Sequence, residues 1–189
     1  GSLSEGFVIR LSPEIDLSEI KAGKFVSVVE GKVRFFCLVS DLKLEVTHSD
    51  ILLFPPEKDS FLQKFLNKKD LYATAFVKPM LMLNQSNLPL PVKFIPKHFA
   101  PVLEVDKKDI ALIFGSETSD KHFGIGTPLD MEDVSICLDL EKLTERSNGI
   151  FGKTGTGKTF ITRLVLAGLI KKDKAVNLIF DMHSEYGLQ

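Results

Sequence analysis

The densest chemistry in the sequence is the run Gly152-Lys153-Thr154-Gly155-Thr156-Gly157-Lys158-Thr159. It fits G-x-x-x-x-G-K-[ST], the spacing of a phosphate-binding P-loop. Glycines let successive backbone N–H groups turn inward as an anion nest, and a helix starting near Lys158 adds the positive end of its dipole. Lys158 is expected to reach the β- and γ-phosphates of a nucleotide and to serve catalysis there. The Thr159 hydroxyl is expected to ligate Mg²⁺. Gly152, Lys153, Thr154, Gly155, Thr156 and Gly157 supply mainly backbone contacts. With average residue usage, a chance match of the four fixed positions in this chain is about 0.6 %. The plain alternative is a glycine-rich turn without a ligand.

The second candidate is Asp181-Met182-His183-Ser184-Glu185-Tyr186-Gly187. In open α/β sheets, ligands lie beyond the carboxyl ends of the strands. An apolar run directly before Asp181 therefore places Asp181 and Glu185 where acids beside a nucleotide belong. Glu185 is a candidate catalytic residue and Asp181 a candidate nucleotide-site residue. The competing reading is a polar strand exit with Asp181 capping a turn. His183 has no second His or Cys nearby to complete a metal site.

The elements that position these residues follow from apolar periodicity. Residues 148–151 read as a strand entering the loop. Residues 159–170 carry Phe160, Ile161, Leu164, Val165 and Leu169 at helical spacing. Residues 176–180 form a continuous apolar run, of the kind buried on both faces of a parallel sheet. Strand, loop, helix and strand make a βαβ unit.

Upstream the pattern is β-rich. Residues 6–11, 25–29, 33–40 and 71–83 read as strands, and Glu30-Gly31-Lys32 reads as a hairpin turn. Residues 41–46 continue the third run or form another strand. Pro79 marks an edge or a bulge, because proline gives no donor to a ladder. Helices are expected at 55–67 and at 106–114, the latter capped by Asp106. The proline-studded stretch 89–101 reads as a wandering loop whose Phe94, Ile95 and Phe99, with Val102 just beyond it, require burial. Many short strands with irregular connections suggest a small barrel or sandwich. The domains expected are a β-rich domain over 1–135 and the truncated beginning of an α/β P-loop domain over 136–189.

Composition excludes several classes. The chain has 189 residues, 44 % hydrophobic and 26 % charged, with a formal charge of −1. A disordered tail or a strongly basic nucleic-acid coat would not have that balance. No apolar run approaches the roughly 20 residues of a membrane span, and no signal peptide is visible at the N-terminus, so a cytoplasmic protein is expected. Cys37 and Cys137 read as buried free thiols. Lys68-Lys69 and Lys107-Lys108 read as solvated faces, and Phe35-Phe36 as core. Residues 1–143 carry a net charge of −4 and residues 144–189 of +3. A net acidic segment offers little to nucleic-acid phosphates, which need Lys and Arg.

Residues 149–159, with Glu145-Arg146-Ser147-Asn148 before them and Ile179-Phe180-Asp181-Met182-His183-Ser184-Glu185-Tyr186-Gly187 after, resemble the HerA family. HerA proteins are ring-forming ATPases of the HerA–FtsK group with a RecA-like core. Their second motif is D-x-H-G-E-Y-like, and here Ser184 stands where that pattern has Gly. The family also begins with a small barrel similar to that of rotary ATP synthase subunits, and residues 25–46 are similar to its start. The resemblance thus implies that the β-rich domain over 1–135 is a β-barrel and that the P-loop domain over 136–189 is the beginning of an ATPase core. The resemblance implies ATP and Mg²⁺ as cofactors and a hexameric DNA helicase that pumps double-stranded DNA. It further implies a nuclease partner of the NurA type. The acidic strand, arginine finger and pore loops of the family have no counterpart in the sequence. DNA is therefore expected to be held by a part of the core beyond residue 189, and this chain alone to turn over ATP poorly. The alternatives are a P-loop ATPase that moves protein or ions, and a barrel that acts chiefly as an interaction module.

Overall fold

The computed structural model describes residues 1–12, 14–47 and 71–186. The helix expected over 55–67, and Lys68-Lys69, lie outside the described residues. The chain divides into two compact units, Gly1–Val105 and Asp106–Gln189. The boundary expected at 135/136 falls inside the second unit. The charge division shifts with it. Lys plus Arg is 13 against 12 for Asp plus Glu over residues 1–105, and 11 against 13 over 106–189. The first unit is therefore close to neutral, not acidic, because the acidic surplus belongs to residues 106–141.

The first unit is one antiparallel sheet. Its strands are β1 (Phe7–Arg10), β2 (Phe25–Glu30), β3 (Val33–Val46), β4 (Leu71–Leu83), β5 (Pro89–Leu90) and β6 (Val102–Glu104). The order is β1-β4-β3-β2-β6, with β5 also on β4. β1 and β6 are not paired with each other, so the expected barrel is an open sheet in its ladder. The β2–β3 hairpin forms with Glu30 opposite Val33. Its turn starts at Gly31, whose φ of 58° suits glycine at the first position of a two-residue loop. Residues 41–46 continue β3.

Two irregularities bend the long strands, between Phe36 and Cys37 and between Val39 and Asp41. Cys37 pairs with Pro79 at the first of them, and Met80 is the extra residue on β4. β1 reaches only as far as Val77 and β5 only from Met82, so Pro79 falls in the gap where no donor is needed. Strand alternation then sends Ile9 and Leu11, Val26 and Val28, Phe35, Cys37 and Val39, and Ala73, Ala75 and Val77 into one core. Phe36 is buried on the other face, with its ring 4.7 Å from that of Phe25.

The stretch 89–101 is not the buried loop expected. Phe94 and Ile95 are exposed, and Phe99 is fully so at φ 65°. Four prolines cannot donate to a ladder, so the carbonyls opposite them turn to water and the segment runs over the surface. Phe94 still sets its ring edge-on to Phe35 at 5.2 Å, while Val92 and Ala100 touch the core.

The second unit comprises α1 (Lys107–Phe114), β7 (His122–Gly126), β8 (Ile136–Asp139), α2 (Leu140–Thr144) and α3 (Lys158–Lys171). Asp106 caps α1 by accepting from Asp109 N at 2.8 Å, and Gly115 ends the helix at φ 78°. β7 and β8 form an antiparallel pair. α1 and α2 pack on β8, and α3 on β7. Ile110 and Leu140 are buried completely, and Cys137 nearly so. The strands expected at 148–151 and 176–180 are absent, and with them the βαβ unit. A strand exists by pairing, and neither segment has a ladder partner among the described residues. Val176, Leu178 and Phe180 are 80–102 % exposed. On α3 only Gly168 and Leu169 are buried. Among the described residues, no helix is long and apolar enough to cross a membrane.

Candidate nucleotide site

The P-loop and the second motif both fall in the second unit, and α3 brings them together. Helix α3 begins at Lys158, with Gly157 at its N-cap in the left-handed region (φ 89°) and no side-chain cap. Gly155 has φ 82°. These two conformations cost a side-chain-bearing residue about 1–2 kcal/mol each, which is why the loop needs glycine there. A Cβ at either position would meet open space, so conformation and not crowding is the constraint. At Gly152 the constraint is crowding, since a Cβ would stand 2.5 Å from Thr156 Oγ1.

The Lys153 carbonyl gathers the loop. It accepts from Thr156 N at 3.3 Å, from Thr156 Oγ1 at 2.7 Å and from Lys158 Nζ at 2.8 Å. Lys153 and Thr156 therefore close the turn, Lys153 through its backbone.

The 181–186 segment folds as a turn tied by Asp181. Its carboxylate accepts from Tyr186 N at 2.8 Å and from His183 N at 3.3 Å. This is the turn-capping reading of Asp181. Ser184 sits at φ 54°, a left-handed conformation that favours glycine. Glu185 does reach the P-loop. Its Oε2 accepts from Thr159 Oγ1 at 2.8 Å. Arg163 adds a link that spacing did not single out. Its Nη2 donates to the Glu185 carbonyl, and its guanidinium lies 5.9 Å from the Tyr186 ring centroid. The signal in the sequence was its place four residues after Thr159, on the same helix face.

The donor set fits a phosphate with a hard cation. Mobile Nζ charge, left-handed glycines at a helix start and a hydroxyl oxygen in the first turn are the groups that chemistry needs. Thr159 spends its proton on Glu185 and keeps its oxygen lone pairs. No cluster of three His, Cys, Asp or Glu side chains able to hold a metal occurs among the described residues.

Residues 123–188 match the family of the HerA helicase central domain. A probable helicase of Methanocaldococcus jannaschii is 37 % identical over 91 residues, which are 48 % of this chain and 17 % of that protein. An uncharacterized protein of Aquifex aeolicus is 23 % identical over 90 residues, 46 % of this chain and 33 % of that protein. Each match thus spans a third or less of the relative's own length.

Proposed function

We propose that this chain, whose residues 123–188 match the HerA helicase central domain, is part of an ATP-driven DNA translocase of that family. Residues 152–159 bind ATP through backbone amides and Lys158, and Thr159 supplies a ligand for Mg²⁺. Held there, the cation would supply positive charge to offset that of the phosphates. Lys158 leaves the Lys153 carbonyl for the phosphates, exchanging a neutral acceptor for a charged one. Asp181 holds the turn, and Glu185 stands beside Thr159 with its carboxylate on the hydroxyl. The observation that carries this reading is the Thr159–Glu185 contact, which joins the two motifs at one point.

The first unit serves subunit or partner contacts in this proposal. Its near-neutral charge offers little for phosphates. Among the described residues β1 and β6 are the outer strands of its sheet, where another chain could add. A homo-hexameric ring, a nuclease partner and duplex DNA held by core segments outside these 189 residues complete the proposal. The ATPase part begins upstream of residue 135, supported by the family match from 123 and the unit from 106.

The test is nucleotide binding by this chain, followed with a fluorescent ATP analogue with and without Mg²⁺. Saturable binding that Mg²⁺ strengthens is expected, and no binding would refute the site. In the longer protein, ATP turnover that rises with duplex DNA separates a DNA translocase from a protein- or ion-moving ATPase.

A further inference from the structure

Arg163 follows Thr159 by four residues on α3, so the two side chains leave the same helix face. Both end on the same residue. Thr159 Oγ1 meets the Glu185 carboxylate at 2.8 Å, and Arg163 Nη2 meets the Glu185 backbone carbonyl. The structure assigns Arg163 as a positioning residue for the Mg²⁺–nucleotide site. It anchors the 181–186 turn on α3 and thereby holds the Glu185 carboxylate against the Thr159 hydroxyl. This rests on the reading of residues 152–159 as an ATP–Mg²⁺ site.

The argument has three links. A threonine hydroxyl is a rotor, and its lone pairs face a fixed direction only when its proton has a fixed acceptor. Glu185 is that acceptor, but it is an exposed side chain on a short turn and needs an anchor of its own. The turn is already a closed unit, because Asp181 takes the amides of His183 and Tyr186. One grip on its end therefore positions all of it. Arg163 supplies that grip at two adjacent residues, the carbonyl of Glu185 and the ring of Tyr186 at 5.9 Å. A planar guanidinium can donate to a carbonyl and lie toward a ring at once, whereas an ammonium makes the first contact only. Partners that orient a metal ligand typically change metal affinity 10–100-fold when removed, a range from roughly the middle of which a loss here is expected.

The experiment uses the whole chain and a fluorescent ATP analogue, titrated once with Mg²⁺ and once with EDTA. Wild type is expected to gain affinity from Mg²⁺. Arg163→Ala is expected to leave the metal-free affinity within about twofold and to weaken the Mg²⁺-dependent affinity by about tenfold or more. Arg163→Lys should recover part of the loss. Glu185→Ala, which removes the acceptor, should reproduce it, and the double variant Arg163→Ala with Glu185→Ala should be no worse than either single one, since both act through one contact. Equal losses with and without Mg²⁺, additive losses in the double variant, or an unchanged Arg163→Ala would each overturn the assignment. A wild type that binds nucleotide while Arg163→Ala behaves identically sinks this inference alone. A wild type that binds no nucleotide sinks the underlying site and this inference with it.

Discussion

Lys158 Nζ donates to the carbonyl of Lys153 at 2.8 Å, so the cation of the P-loop is satisfied within its own loop. The contact is local and polar, and Lys158 belongs to the exposed end of α3 rather than to the core. Replacing it therefore removes phosphate affinity without opening a cavity. A hydrogen bond to a charged group contributes about 1.5–3 kcal/mol. Lys158→Ala should weaken ATP binding by about ten- to a hundredfold, at about 1.4 kcal/mol per factor of ten. The thermal midpoint should stay within a few degrees of wild type. Titration calorimetry and a melting curve check both halves, and a variant that binds normally would remove Lys158 from the site.

A second prediction concerns pH. Lys174 donates to Asp120 at 2.8 Å and to Glu141 at 3.1 Å, tying the end of α3 to the loop before β7 and to α2. The Lys174 hydrogen bond and charge hold the Asp120 carboxyl below its ordinary value, and the hydrogen bonds to Asp120 and Glu141 hold the Lys174 ammonium above its own. A depressed acid contributes stability that is present above its unfolded pKa and lost as pH falls through the folded one. A raised ammonium contributes stability that is present below its unfolded pKa and lost as pH rises through the folded one. Lys174→Met should therefore lower stability on the neutral plateau. Its melting curves should converge on wild type in strong acid and in strong alkali. Added salt should narrow the difference at neutral pH, because these groups are partly solvated.

The sequence already contained the local part of this picture, and the failures have one physical origin. Asp106 as a cap, Gly31 as a turn, Pro79 at a bulge and the start of α3 at Lys158 are decided within a few residues, and all appear as read. Pairing is not local. Residues 176–180 have the composition of a buried strand, yet Val176 and Phe180 stand exposed because no ladder partner lies beside them among the described residues. The barrel failed to close for the same reason, since strand count does not determine whether β1 meets β6. Within the site, the P-loop residues were legible from their spacing. The contact of Glu185 with Thr159 needed the turn that Asp181 and Ser184 build. Arg163 carried only its spacing from Thr159 as a signal, and an arginine on a helix face is ordinary until something docks there.

The thiols give a third prediction. Cys37 is wholly buried in the first unit, and burial pushes its thiol up to about 12. Burial is also the largest cause of the upward shift at Cys137. The thiolate is the reactive form, so both should resist a disulfide reagent at pH 8 in the folded chain and react fully in denaturant. A raised thiol contributes stability below its unfolded pKa that is lost as pH rises through the folded one, so Cys37→Ser should not reproduce the wild-type alkaline limb. Rapid native labelling of Cys37 would show that the sheet opens.

The last prediction sets two opposing effects against each other at Gly168. Alanine normally stabilises a helix interior over glycine by about 1 kcal/mol. Gly168 is buried on α3, and a Cβ there would stand 2.6 Å from Phe123 Cδ1 on β7. That is closer than carbon atoms approach, so the ring or the helix must move. Overpacking of this kind costs about 1–3 kcal/mol. The cost should exceed the propensity gain, and Gly168→Ala should lower the stability of the second unit by up to about 2 kcal/mol. Phe123 is the group that must yield, so Gly168→Ala with Phe123→Leu should recover part of the loss. A stabilised Gly168→Ala in denaturant titration would mean that α3 does not rest on β7 and that helix propensity alone governs the position.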